Sequence, residues 1–189
     1  MVKKKENWRI WNKDRDVEVR TFQRVKKNLP EMECAKQLRK IFNQIYKKEM
    51  RILDVGCAAG HYYNSLIKID KNISYTGMDA TKAYIAYGKK HFKKNTRVNL
   101  IQQDIFKIDN KYNKNFDITF CCNVLLHLPE IKKPIINLLK TTKKYCIIRT
   151  LVSNKTHFSQ FLYSDKFNKN NKPTDFVYQN TYSFDLLKK

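Results

Sequence analysis

The chain has 189 residues, 42% of them hydrophobic, and a formal net charge of +22. That length and apolar content suit one folded domain and argue against a mostly disordered chain. No apolar run approaches the ~18 residues of a membrane span, and the opening MVKKKENWRI has no apolar stretch of the kind a signal peptide needs, so the expectation is a soluble, cytoplasmic protein.

The first 29 residues are polar, aromatic and charged, and Trp8 and Trp11 suggest that part of this arm docks as a cap on a domain spanning 30–189. From 31 to 48 the apolar residues Met32, Ala35, Leu38, Ile41, Phe42, Ile45 and Tyr46 recur at spacings of three and four, which predicts a helix. Pro30 suits its first turn. The period then changes. Residues 51–55 read as a short buried strand, 61–68 as a helix, 73–78 as a strand and 80–94 as a helix carrying Ala83, Tyr84, Ala86 and Tyr87 on one side. Strands follow at 98–102 and 116–122, a helix at 131–139 and a strand at 145–152. Residues 153–174 are rich in lysine and asparagine and read as a loop; 182–189 reads as the opening of a last helix. Short apolar strands alternating with helices predict βαβ units and a mostly parallel sheet with helices on both faces.

The stretch "RILDVGCAAGHYYNSL" places Gly56 and Gly60 where the first strand gives way to a helix. Beyond the carboxyl ends of the strands of such a sheet is where ligands bind. Glycine lets backbone approach a ligand closely, and the amides opening a helix favour an anionic group. The dinucleotide fingerprint G-x-G-x-x-G is not met, because Ala58 and His61 stand at its second and third glycines, and no Gly-Lys-Ser/Thr of a P-loop follows.

"ILDVGCAAG" resembles motif I of the class I, Rossmann-like S-adenosylmethionine-dependent methyltransferases, hydrophobic-hydrophobic-D-x-G-x-G-x-G, with Asp54, Gly56 and Gly60 matching and Ala58 replacing the middle glycine. "YTGMDAT" ends a strand with Asp79, where the family places an acid that accepts the cofactor's ribose hydroxyls. "LIQQDIF" supplies Asp104 and Ile105, where the family sets an acid or its neighbouring amide against adenine. "FDITFCCNVLLHLPE" resembles the fourth-strand motif and sets Asn123 beside the methionine part. The resemblance implies S-adenosyl-L-methionine as cofactor, contacted by Asp54, Gly56, Cys57, Ala58, Gly60, Asp79, Ala80, Asp104, Ile105 and Asn123. It also implies a sheet of order 3-2-1-4-5, here lacking the family's C-terminal β6-β7 hairpin, so that 30–189 reads as a C-terminally truncated methyltransferase domain. Each residue also admits a plainer role. Asp79 could cap the helix beginning near Thr81, Asp104 could be a turn residue, and His127 could be a structural histidine bonded to backbone. His61, Tyr62 and Tyr63 follow the glycine turn, and one of them could face the ligand. His157 and Tyr163 lie where the family often lines its acceptor pocket; no general base is assigned.

Methyl transfer from a sulfonium needs in-line alignment and exclusion of water more than it needs a base or a metal. The Asn/Asp-Pro-Pro-Tyr/Phe motif of amino-methylating nucleic-acid enzymes is absent, and "CCNVLLHL" is closer to the small-molecule branch. The expectation is methyl transfer to a small-molecule acceptor. The charge leaves an RNA methyltransferase as an alternative. However, lysine outnumbers arginine 31 to 8 and is dispersed in pairs, as codon bias alone would produce. A cofactor-binding module without turnover is the other alternative. Cys34, Cys57, Cys121, Cys122 and Cys146 form no CxxC pair and no metal-ligand spacing, so no metal is expected and the thiols read as free.

Overall fold

The computed structural model describes residues 9–188; Trp8 and the rest of 1–8, with Lys189, lie outside the described residues. Five strands form the central sheet: β1 (Arg51–Val55), β2 (Ser74–Asp79), β3 (Val98–Gln102), β4 (Phe116–Cys122) and β5 (Thr142–Arg149). They are all parallel and lie in the order β3-β2-β1-β4-β5, as expected from the sequence. Helices α2 (Glu33–Ile45), α3 (Tyr63–Leu66), α4 (Lys82–His91) and α5 (Lys132–Thr141) complete the βαβ framework.

The side-chain alternation of the strands divides the core in two. Ile52, Tyr75, Ile118 and Phe120 point into one layer with Leu38 and Phe42 of α2 and Leu66 of α3. Leu53, Val55, Met78 and Cys121 point into the other with Leu138 of α5 and Leu125. Burial on both sides explains the continuous apolar reading of the strands.

Three regions depart from the sequence reading. Within the N-terminal arm, α1 (Arg15–Val25) is a full helix. Asp14 caps it by accepting the Val17 amide at 2.9 Å, and acidic residues open it while Arg24 ends it, which complements the helix dipole. Its Phe22 ring stacks on Tyr87 of α4, with centroids 3.7 Å apart, so its stability comes from tertiary contact that a polar sequence does not announce. Second, 153–174 is not only loop. Val152–Ser153 (β6) pairs with Tyr182–Ser183 (β9), and Gln160–Leu162 (β7) pairs antiparallel with Phe176–Tyr178 (β8). Third, the last helix, α6, is Phe184–Lys188, beginning two residues later than expected. Tyr182 is fully buried there, its hydroxyl donating to the Leu125 carbonyl at 2.7 Å, which holds 182–183 extended against the core.

Candidate active site

The turn after β1 is laced to the end of β2. The amides of Gly56 and Cys57 both donate to the Met78 carbonyl, at 2.7 and 3.0 Å. Asp79, the last residue of β2, then accepts the Ala58 amide on one carboxylate oxygen and the Thr81 amide on the other, each at 2.8 Å. Asp79 is not the N-cap of α4, which is Thr81; its carboxylate holds the Thr81 amide just ahead of the helix and fixes the glycine turn beside it. Burial pushes its carboxyl up, and these two amides pull it back down. The Thr81 hydroxyl also bonds this carboxylate, which keeps acceptor capacity where the residue borders an open cleft.

Gly56 and Gly60 take φ of +81° and +85°. A Cβ on Gly56 would stand 2.1 Å from Val124 Cγ2, so the turn needs both the left-handed backbone and the missing side chain. Ala58 has φ +49°, so the position where the methyltransferase motif carries its middle glycine does require the left-handed region. Alanine is strained there by about 1–2 kcal/mol. Ala58→Gly is expected to stabilise the fold by about 0.5–1 kcal/mol after the added flexibility of the unfolded chain is subtracted. A denaturant titration showing no gain would contradict this account of the turn.

The cleft has a volume of about 270 Å³. Its floor and walls bring together Gly56, Ala58, Asp79, Ala80, Asp104, Ile105 and Asn123, seven of the ten residues singled out in the sequence. Asp54, Cys57 and Gly60 do not line it. Asp54 is buried beneath the turn, where it accepts the Tyr75 hydroxyl at 2.5 Å. The Cys57 side chain is also buried, and burial pushes its thiol well up. Asp104 accepts the Phe106 amide at 2.9 Å and pairs with the Arg9 guanidinium at 2.7 Å. Asn123 sits in the left-handed region at φ +59°, which asparagine tolerates, and its side-chain oxygen accepts from Arg149.

Burial raises the Asp54 carboxyl from 3.8 to about 8, against the lowering effect of the Tyr75 hydroxyl. The unfolded chain ionises this group near pH 4 while the folded protein keeps its proton. Its contribution to stability is therefore complete below about pH 4 and lost as pH rises through about 8. Asp54→Asn is expected to melt progressively higher than the parent as pH rises across that window. A melting difference that stays constant from pH 4 to 8 would refute the shift.

The remaining lining was not legible from motifs. Trp11, Asn12, Val17 and Thr21 reach in from the N-terminal segment, and Tyr84, Val124, His127 and Leu128 from the domain. Of these, Trp11 and His127 drew notice in the sequence as docking or site candidates, and Tyr84 only as part of a helix face. The Trp11 ring meets His127 edge-on at 4.8 Å. His127 Nδ1 lies 2.8 Å from the Tyr178 carbonyl, an acceptor only, so Nδ1 carries the proton and donates. Nε2 is then the lone-pair nitrogen, and among the described residues it has no hydrogen-bond partner. Burial lowers the imidazole's pKa, offset in part by the bond to Tyr178. Tyr62 and Tyr63 are buried in the core, and His61 faces a separate cavity. His157 forms a backbone bridge with Thr181, and neither it nor Tyr163 borders the cleft. Among the described residues no group of three metal-ligating side chains occurs, and no helix is long and apolar enough to cross a membrane.

A parallel sheet of this order, with a glycine turn and an acid at adjacent strand ends, defines a Rossmann-like α/β domain with its ligand cleft at the switch point. Residues 46–185 match the family model described as a methyltransferase domain, and the chain belongs to that family. A ubiquinone biosynthesis O-methyltransferase of Rickettsia canadensis is 30% identical over 147 residues, 72% of this chain and 54% of that protein. Its counterpart in Rickettsia typhi is 29% identical over 151 residues, 79% and 57% of the two chains. This chain thus spans about half the length of those relatives. Among solved structures, a SAM-dependent methyltransferase from Aquifex aeolicus superposes with TM-score 0.54 at 22% identity, covering 69% of this chain and 73% of its own. The YcgJ protein of Bacillus subtilis superposes at 0.53 and 13% identity, covering 77% and 94%. These likenesses are of fold.

Proposed function

We propose that the chain is a cytosolic enzyme that methylates a small molecule, with S-adenosylmethionine held in the cleft described above. The carrying observation is that Gly56, Ala58, Asp79, Asp104, Ile105 and Asn123, drawn from four strand ends, border one cavity. The residues present fit the cofactor. Asp79 keeps acceptor capacity for a ribose hydroxyl, and Gly56 leaves backbone bare where a side chain would collide with Val124. Asp79 would hold the ribose, Asp104 and Ile105 the adenine, and Gly56, Ala58, Ala80 and Asn123 the amino-acid portion. Asp54, Cys57 and Gly60 would act from below, by shaping the turn. S-adenosylmethionine supplies a methyl group activated by its sulfonium. The chain's own residues orient the acceptor, exclude water and, where the acceptor is a hydroxyl, remove its proton.

The relatives above are named O-methyltransferases, and His127 is placed to serve such an acceptor. Its Nδ1 is committed to the Tyr178 carbonyl, its Nε2 has no hydrogen-bond partner among the described residues, and Trp11 braces the ring. In this reading Nε2 takes the hydroxyl proton as the oxygen attacks. The segment 1–29 serves as a lid on the domain 30–189. Support comes from Trp11, Val17 and Thr21 at the roof of the cleft and from Arg9 and Lys13, which pair with Asp104 and Asp175, each at 2.7 Å. The five cysteines are all free, in keeping with a reducing compartment.

Calorimetry with S-adenosylmethionine tests the reading. Saturable binding is expected for the parent. Asp79→Asn, which exchanges one acceptor oxygen for an amide, is expected to weaken it by ~1–3 kcal/mol, about five- to 150-fold. No heat from the folded parent protein would end the proposal. Full affinity in the variant would move the ribose elsewhere.

A further inference from the structure

A second cavity, of about 260 Å³, lies between the end of α1, the segment joining it to α2, and α3. It shares no lining residue with the cleft. His61 borders it, and both its ring nitrogens are buried without a hydrogen-bond partner among the described residues. Burial and the nearby Arg24 guanidinium lower this histidine to about 4, so at neutral pH it is uncharged. A neutral imidazole still carries one N–H, which needs an acceptor. The cavity wall offers mostly donors. Arg24, Lys27 and Lys68 line it as cations. Asn64 has spent its two amide hydrogens on the Arg24 and Val25 carbonyls, at 3.3 and 2.9 Å, and keeps only its Oδ1 as an acceptor. Glu31 is the one carboxylate on the wall, and it is already engaged by Lys68 at 2.7 Å and by Arg39 at 3.3 Å, which holds it down to about 2. Neither Arg24 nor Lys27 has a carboxylate partner among the described residues. Leu29, Pro30, Met32 and Ala35 add apolar surface, and Ser65 adds a hydroxyl that bonds Glu31.

We infer that this cavity is a binding site for a small oxyanion, a phosphate or carboxylate group, held by Arg24 and Lys27 and accepting the orphaned N–H of His61. The chemistry is that of a charge-assisted acceptor placed against two uncompensated cations and a neutral donor. Lysine and arginine on an open surface are ordinarily solvated. What sets this place apart is the histidine beside them, whose two nitrogens are buried from bulk water and find no hydrogen-bond partner among the described residues. The inference does not depend on what the cleft binds.

The probes are inorganic phosphate and acetate, titrated at constant ionic strength against chloride, with the ring signals of His61 read by NMR in the full chain carrying labelled histidine. The expected result is a saturable His61 shift with phosphate, acetate or both, and none with chloride. The two arms tell phosphate from carboxylate chemistry. Arg24→Gln and Lys27→Gln lie at the cavity rim and leave the core intact. Each is expected to weaken the effect by about tenfold, the ordinary consequence of losing a charged hydrogen-bonding partner. His61→Phe, if it folds, is expected to abolish phosphate-induced thermal stabilisation. Equal shifts with chloride would overturn the inference. So would an effect untouched by Arg24→Gln and Lys27→Gln, or no shift with either probe, which would leave a cavity filled by water.

Discussion

Gly56→Ala is expected to destabilise the protein by about 2–4 kcal/mol and to abolish cofactor binding. Two costs act together. At φ +81° an L-residue is disfavoured by about 1–2 kcal/mol. The new methyl would also lie 2.1 Å from Val124 Cγ2 and 3.3 Å from its Cβ, so the whole Val124 side chain must move. Valine is stiff at χ1, and overpacking of this kind costs about 1–3 kcal/mol. For a chain of this size that corresponds to a melting point lower by roughly 5–15 °C. Val124 and Gly56 both border the cleft, so the displacement falls on the ligand site as well as on the fold. Gly60→Ala shares the backbone penalty at φ +85° but has its nearest neighbours at 3.3 Å, the tips of Leu100 and Phe92, and does not border the cleft. It is therefore the control. The same loss of cofactor affinity in both variants would mean that Gly56 matters only as a turn residue. A Gly56→Ala protein with parental melting and affinity would refute the geometry outright.

The difference between these two glycines shows what the sequence could and could not disclose. The central sheet was legible because its strands are buried on both sides and punctuated by glycine and acid at their ends. Asp79 and Gly56 were legible as a pair because each end lies beside its neighbour in a parallel sheet, as the Val55–Met78 pairing shows. The left-handed backbone of Ala58 was not legible, since alanine gives no sign of φ. Nor was α1. Only Thr21 and Val25 of it are buried, and its contact with α4 depends on Phe22 finding Tyr87 across the fold. The small pairs β6–β9 and β7–β8 have strands of two or three residues, too short for any period to register. Their position depends on single buried groups: Asn180, whose amide donates to the Leu128 carbonyl at 2.8 Å, and Tyr182. The same physics separates the seven cleft residues recovered from motifs from the α1 residues that were missed. Motif residues answer to local backbone geometry, whereas Val17 and Thr21 reach the cleft only because a distant helix packs where it does.

That distant packing also decides what His127 can do, and the second large effect follows from it. His127→Asn is expected to lower kcat by about 10²–10⁴ with a hydroxylated acceptor while leaving S-adenosylmethionine affinity within about twofold, the usual span for loss of a general base. Asparagine has an amide that can donate to the Tyr178 carbonyl, so the strut to β8 survives while the basic nitrogen goes. His127→Phe removes both and separates the two roles. The pH dependence supplies an independent sign. A base must be neutral to act, and burial holds His127 below the ordinary histidine value of 6.5. Activity in the parent is therefore expected to be flat near neutrality and to fall only on the acid side of the ordinary histidine range, when the imidazole gains its second proton and Nε2 loses its lone pair. In His127→Asn the low residual rate is expected to show no such acid limb. Turnover is measured by S-adenosylhomocysteine release across a panel of phenolic acceptors, with melting curves confirming that the variants are folded at each pH. A His127→Asn protein that keeps both the parental rate and the parental acid limb would reduce this histidine to a brace between the cleft and β8.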